Sequence, residues 1–126
     1  MGQHILYSHH MLTIASRIDV MNRLGRAMAD STRSRILMNL LNHPDYPAEL
    51  ARDLDLTRSN VSNHLSCLLA CGIVNAIPEG RKTRYEISDP HLTHALNVLV
   101  NVVLAVDESA DCLDNACMIP HCKEAK

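Results

Sequence analysis

The sequence predicts a mainly α-helical domain closed by a β-hairpin, and three observations carry that expectation. Apolar residues recur at helical spacing through several separate stretches, each bounded by a capping or breaking residue. The period then switches to alternation across "IVNAIPEGRKTRYEIS", residues 73–88, around a Pro-Glu-Gly-Arg-Lys turn. Aromatic residues are almost missing: there is no Trp or Phe, only Tyr7, Tyr46 and Tyr85. The core must therefore be built from Leu, Ile, Val, Met and Ala, a mix suited to packed helices.

Each element carries its own boundary signals. From about residue 11 to 28, Leu12, Ile14, Ala15, Ile18, Met21, Leu24 and Met28 mark one helical stripe. Asp30-Ser31 supplies an N-cap for a second helix, "STRSRILMNLLN". His43-Pro44 stops it, because the residue before a proline is pushed out of the helical region. "PAELARDLDL" has Pro47 in its first turn, where the missing N–H has no partner to lose, and reads as a short third helix. Thr57 or Ser59 caps a fourth, which runs through Cys71 and ends at Gly72, the expected residue just past a helix. After the hairpin, Asp89-Pro90 opens a last helix, "HLTHALNVLVNVVLAV", apolar on most of its circumference. Such a helix needs burial on more than one side. In a chain this short a second copy supplies it, so a homodimer through the first and last helices is expected. The order helix, helix, short helix, capped helix, hairpin, helix is that of a winged helix-turn-helix, occupying residues 11–108. Residues 109–126 form a tail that is acidic, broken by Pro120, and carries Cys112, Cys117 and Cys122.

At 126 residues the chain is one domain's worth, large enough for a real hydrophobic core. No stretch approaches the ~20 uncharged apolar residues that span a bilayer. The N-terminal "MGQHILYSHHMLTIASRIDV" lacks a basic region followed by a long apolar run, so no secretory signal is expected, and Met-Gly alone does not imply myristoylation. A cytoplasmic location follows, and in that reducing compartment five cysteines read as thiols or metal ligands rather than disulfides. The scarcity of aromatics argues against stacking platforms for single-stranded nucleic acid. The net charge of −2 hides an asymmetry: residues 1–88 carry ten Lys and Arg against eight Asp and Glu, residues 89–126 two against six. Phosphate affinity follows the local patch rather than the sum, so the acidic total does not decide against DNA.

The fourth helix divides into faces. At 100° per residue, Val61, Leu65, Leu68 and Leu69 fall within roughly 100° of one another and make a core stripe. Asn60, Asn63 and His64 lie off that stripe, with Ser59 and Ser62 toward the outside. Short polar side chains on an exposed helix can reach base edges and phosphates in a major groove, and Arg58 stands at the helix start. Arg81, Lys82 and Arg84 make the hairpin basic, as backbone or minor-groove contact would require. A merely solvated polar face would explain the helix alone, but not the helix joined to a preceding short helix and a basic hairpin.

Cys67 and Cys71 sit about 40° apart on the same wheel, well off the core stripe. Side chains at i and i+4 lie one above the other, so two sulfurs there can share one ion. The plainer alternative is that each thiol fills space between helices. A disulfide between them is disfavoured, because stacked side chains on a rigid helix rarely meet its torsional demands.

The segments "AMADSTRSRILMNLL", "AELARDLDLTRSNVSNHLSCLLACGIV" and "EGRKTRYEI" resemble the ArsR/SmtB family of metal-responsive repressors, over roughly residues 17–106. The "S-x-x-S-x-H-L" pattern from Ser59 to Leu65 and the "G-R-x-x-x-Y" wing from Gly80 to Tyr85 are specific in combination. "LTRSNVSNHLSCLLACG" and "VVLAVDESADC" are similar to a cadmium/lead-sensing member. The resemblance implies a homodimer on a palindromic operator that leaves the DNA when metal binds. It also implies Cys112 as a third ligand beside Cys67 and Cys71, from the same or the other protomer. All-sulfur ligation selects Cd(II) or Pb(II), with Zn(II) and Hg(II) next. Cys117, His121 and Cys122 exceed that pattern and stand open as spare ligands, a second site or an unstructured tail. Two other sites of the family do not match. Asp89-Pro90-His91 gives the first half of a last-helix zinc site, but Val102 and Ala105 stand where its second half belongs, and "ELARDL" has no thiol for an arsenic-type site.

Two rival readings are weighed against this one. The thiols could be a redox switch on the same DNA-binding fold, releasing DNA on oxidation without metal. An enzyme using Cys67 with His64, three residues earlier, as base is not expected: DNA-facing context explains His64, and no phosphate loop or paired-carboxylate motif exists.

Overall fold

A computed structural model of the chain describes residues 12–107 and 109. Helix α1 spans Arg17–Met28, α2 Ser31–Asn42, α3 Pro47–Leu54 and α4 Arg58–Ala70. The strands are β1, Val74–Glu79, and β2, Lys82–Ile87, and α5 spans Pro90–Leu99. Among the described residues no helix is long and apolar enough to cross a membrane.

Capping fixes these boundaries. The side chains of Ser16, Asp30, Thr57 and Asp89 each accept from a backbone N–H in the first turn of α1, α2, α4 and α5. Of the two candidates for α4, Thr57 is therefore the cap. Helix α3 starts at Pro47 without a side-chain cap and closes at Asp55, whose φ of 56° turns the chain into the left-handed region.

One core gathers these elements. Ala27 from α1 joins Ile36, Leu37 and Leu40 from α2, Leu50 and Ala51 from α3, and Val61, Leu65 and Leu68 from α4, with Ile73 and Val74 beneath the hairpin. Strands β1 and β2 pair antiparallel, with Val74 opposite Ile87 and Glu79 opposite Lys82. That register leaves Gly80-Arg81 as a two-residue turn, and Gly80 takes φ of 63°, which such a turn demands at its first position. Asp45, just before α3, pairs with Tyr85 through two backbone bonds of 3.0 and 2.8 Å and anchors the hairpin to the helix-turn-helix.

Two boundaries differ from those the sequence predicts. Residues 12–15 are not helical; α1 waits for the Ser16 cap, and Leu12 and Ile14 are exposed. The last helix ends at Leu99, not near 106. There the Asn101 side chain donates to the Asn97 carbonyl at 2.9 Å, the Asn101 and Val102 N–H groups tighten onto the Val98 and Leu99 carbonyls, and β-branched Val100, Val102 and Val103 are weak helix formers. Only Leu96 of α5 is buried, and Val98 to Val106 leave a run of exposed apolar side chains.

Candidate nucleic-acid and metal interface

The α3–turn–α4 unit presents one face of α4 outward because Val61, Leu65 and Leu68 are wholly buried on the other. Arg58, Ser59, Ser62 and Asn63 are exposed, as a reading face requires, and Asn60 is half-buried. The Thr57 hydroxyl, which caps Asn60 N–H at 3.1 Å, also lies 3.4 Å from the Ser59 hydroxyl, so the start of α4 is locally ordered.

His64 occupies a different position from its neighbours. Its side chain is only 20 % exposed, and Nε2 lies 3.9 Å from the Asp30 carboxylate at the start of α2. Asp30 is held below the ordinary carboxylate range, first by the hydrogen bond from the Arg33 N–H. The helical wheel puts His64 off the core stripe of α4; only tertiary packing reveals that its polar neighbour is Asp30.

The hairpin is also more committed than its composition suggests. Arg81 and Lys82 are exposed. Arg84 instead donates from Nε to Glu79 Oε2 and from Nη1 to Glu86 Oε1, both at 2.7 Å. The Tyr46 hydroxyl donates to the other Glu79 oxygen at 2.6 Å, and the Lys82 ammonium lies 5.1 Å from the centre of the Tyr46 ring. Tyr46, Glu79 and Glu86 escaped the sequence reading. A partial signal existed: Arg84 and Glu86 are two apart on one strand and so share a face.

Cys67 is exposed and Cys71 half-buried, and both thiols are free. Cys71 is the C-cap residue of α4 rather than a residue within it, yet its N–H still donates to the Cys67 carbonyl at 3.0 Å. The helical i, i+4 relation therefore extends through both thiols. Cys71 also packs against the core cluster. Arg23 of α1 is bonded to Asp19 at 2.7 Å, and that carboxylate is the first cause of its raised pKa, with Cys71 a lesser one. Two soft donors side by side suit a soft cation but cannot complete its shell. Among the described residues no group of three or more His, Cys, Asp or Glu side chains could hold a metal ion. Cys112, Cys117, His121 and Cys122 lie outside the described residues. His91, in the half-matching zinc pattern, is fully exposed and 3.1 Å from Asp89.

Comparison with known proteins bears on this arrangement directly. Residues 30–76 match the family described as bacterial regulatory protein, arsR family. The chain is 57 % identical over 103 residues to the HTH-type transcriptional regulator CmtR of Mycobacterium tuberculosis, covering 82 % of this chain and 87 % of that protein. The chain belongs to the arsR family. It is therefore a DNA-binding transcriptional regulator rather than an enzyme, and its hairpin is the wing of a winged helix-turn-helix. The NMR structure of the cadmium metal-sensor CmtR from M. tuberculosis superposes with a TM-score of 0.60 at 58 % identity, over 75 % of this chain and 98 % of that one. A probable mercury resistance operon repressor of Streptomyces lividans is 37 % identical over 102 residues, 81 % of this chain and 79 % of that protein.

Proposed function

We propose that the chain is a cytoplasmic, homodimeric repressor that holds operator DNA in its metal-free form and leaves it when Cys67, Cys71 and Cys112 bind Cd(II) or Pb(II). The observation that carries this reading is the position of two thiols, i and i+4, in the last turn and at the C-cap of the helix that would read the DNA. Similarity to a cadmium sensor supports the choice of a soft ion, and the similarity to a mercury-operon repressor points to the same ligand chemistry.

In this reading Arg58, Ser59, Asn60, Ser62 and Asn63 face the major groove, His64 stands behind them against Asp30, and Arg81 and Lys82 contact the backbone. Cys112, supplied by the tail of the other protomer, completes a three-thiolate set. Drawing the end of α4 toward that tail tilts the helix and misplaces Asn60, Ser62 and Asn63 against the bases, with no long relay needed. Linked sites are typically coupled by about 1–3 kcal/mol, enough to empty a modestly saturated operator. Operator DNA must weaken metal binding by the same factor.

The test uses operator DNA selected from a random duplex pool and the five single Cys→Ser variants, titrated with and without Cd(II). Cys67→Ser, Cys71→Ser and Cys112→Ser are expected to bind DNA normally and to ignore Cd(II); Cys117→Ser and Cys122→Ser are expected to respond like the parent. Release by Cd(II) from all five would end the thiol-sensor reading. Release by a mild oxidant in the presence of chelator, with none on adding Cd(II), would select a redox-responsive repressor instead, for which the exposed Cys67 is also suited.

A further inference from the structure

The carboxylate of Glu79 sits at the centre of a wing cluster that DNA binding alone leaves unexplained. One oxygen accepts from Tyr46, at the entrance to α3, and the other from Arg84, across the hairpin. Glu86 takes a second nitrogen of the same guanidinium. The backbone bridge between Asp45 and Tyr85 holds Tyr46 and Arg84, their chain neighbours, at this spacing. Three elements thus cooperate to keep one cation between two anions on a surface that meets a polyanion.

We propose that Glu79 restrains the wing: its carboxylate occupies the Arg84 guanidinium that a DNA phosphate would otherwise engage, and so sets the affinity for duplex DNA. The inference rests on the wing meeting the phosphate backbone. Tethered at both oxygens, Glu79 is held beside Arg84. Its carboxyl is held below the ordinary range, first by the Tyr46 hydroxyl and then by Arg84, so it stays charged wherever DNA is bound. With Glu86 it reduces the wing's three cations, Arg81, Lys82 and Arg84, to a net single positive charge. Exposed ion pairs are individually weak, so a phosphate can compete for Arg84, but the displaced carboxylate then repels the same backbone. Among the described residues Arg81 has no ion pair, which leaves it as the wing's uncommitted guanidinium.

Binding of the full chain to a short mixed-sequence DNA duplex, followed by anisotropy across a salt series, tests this. Glu79→Gln keeps an oxygen for Tyr46 and removes the charge. It is expected to tighten binding several-fold at low salt and to steepen the log–log salt dependence by about 0.9, the signature of one more phosphate contact. Glu86→Gln moves both readouts the same way. In an Arg84→Ala background neither substitution changes the slope. Arg84→Ala alone leaves the slope of the parent unchanged, whereas Arg81→Ala flattens it by about 0.9. An unchanged or shallower slope in Glu79→Gln, or the same steepening without Arg84, overturns the proposal. Failure of the parent chain to bind the duplex at any salt would instead remove the backbone-contact reading beneath it.

Discussion

Leu65 and His64 are adjacent in sequence and face opposite duties. Leu65 is wholly buried among Ile36, Leu50 and Val61, and removing its three outer carbons leaves a void that surrounding helices can only partly fill. Leu65→Ala is expected to lower unfolding free energy by about 2–5 kcal/mol, read from urea denaturation. That is a large share of the about 5–15 kcal/mol typical of a domain, so loss of DNA binding in this variant would report unfolding rather than a lost contact. A change under 1 kcal/mol would mean the core closes over the site. At this scale the wheel located the buried stripe and the free thiols, because each depends on angle about one helix axis. It could not foresee Asp30 beside His64 or Glu79 beside Arg84, since those partners come from other elements and no spacing within α4 or β2 encodes them. The Cys112 assignment rests on family resemblance, not on geometry.

Helix α2 depends on a single side chain at its start. Asp30 accepts from Arg33 N–H at 2.9 Å, and Arg33 in turn donates to the Ala27 and Arg26 carbonyls, tying the end of α1 to the start of α2. Asp30→Ala is expected to cost about 1 kcal/mol, and Asp30→Ser, which can still cap, a few tenths. The folded state depresses the Asp30 carboxyl, so the unfolded chain binds the proton more readily. The contribution is therefore complete at neutral pH and is lost as pH falls through the ordinary carboxylate range and below. Unfolding measured against pH is expected to show a smaller acid-side loss in Asp30→Ala than in the parent; parallel curves would contradict the cap. Caps and breakers also explain which elements the sequence made legible. Asp30, Pro47, Thr57, Gly80 and Asp89 each act locally, and each helix start or turn they mark appears where expected. The ends of α1 and α5 were overextended because apolar periodicity marks a surface seeking burial, whether or not the backbone there is helical.

That unfilled surface belongs to the whole molecule. Ile14, Ile18 and Met21 at one end of the chain, and Val98, Leu99, Val100, Val103 and Leu104 at the other, are exposed together with Met28 and Met38. Contiguous exposed apolar surface on this scale marks an interaction site. In the proposed dimer both termini contribute to it, and two recognition helices present half-sites to one operator. Leu99→Glu or Val103→Glu is expected to give a monomer in sedimentation and to abolish operator binding while circular dichroism stays unchanged. A stable monomer for the parent chain at the concentrations where it binds DNA would contradict the dimer.

Three residues, Cys71, Gly72 and Ile73, join α4 to the hairpin, and none of them is slack. Gly72, at φ of 81°, donates to the Leu69 carbonyl, Ile73 to that of Leu68, and Ser88 closes the joint from the far strand onto Gly72 and Ile73. Helix and hairpin therefore turn like a crank on a shared shaft: a rotation at the last turn of α4 is also a rotation of the wing. In the proposed complex, groove and backbone contacts on DNA are then given up together rather than one after the other, and a displacement at Cys71 acts with the full lever arm of the hairpin.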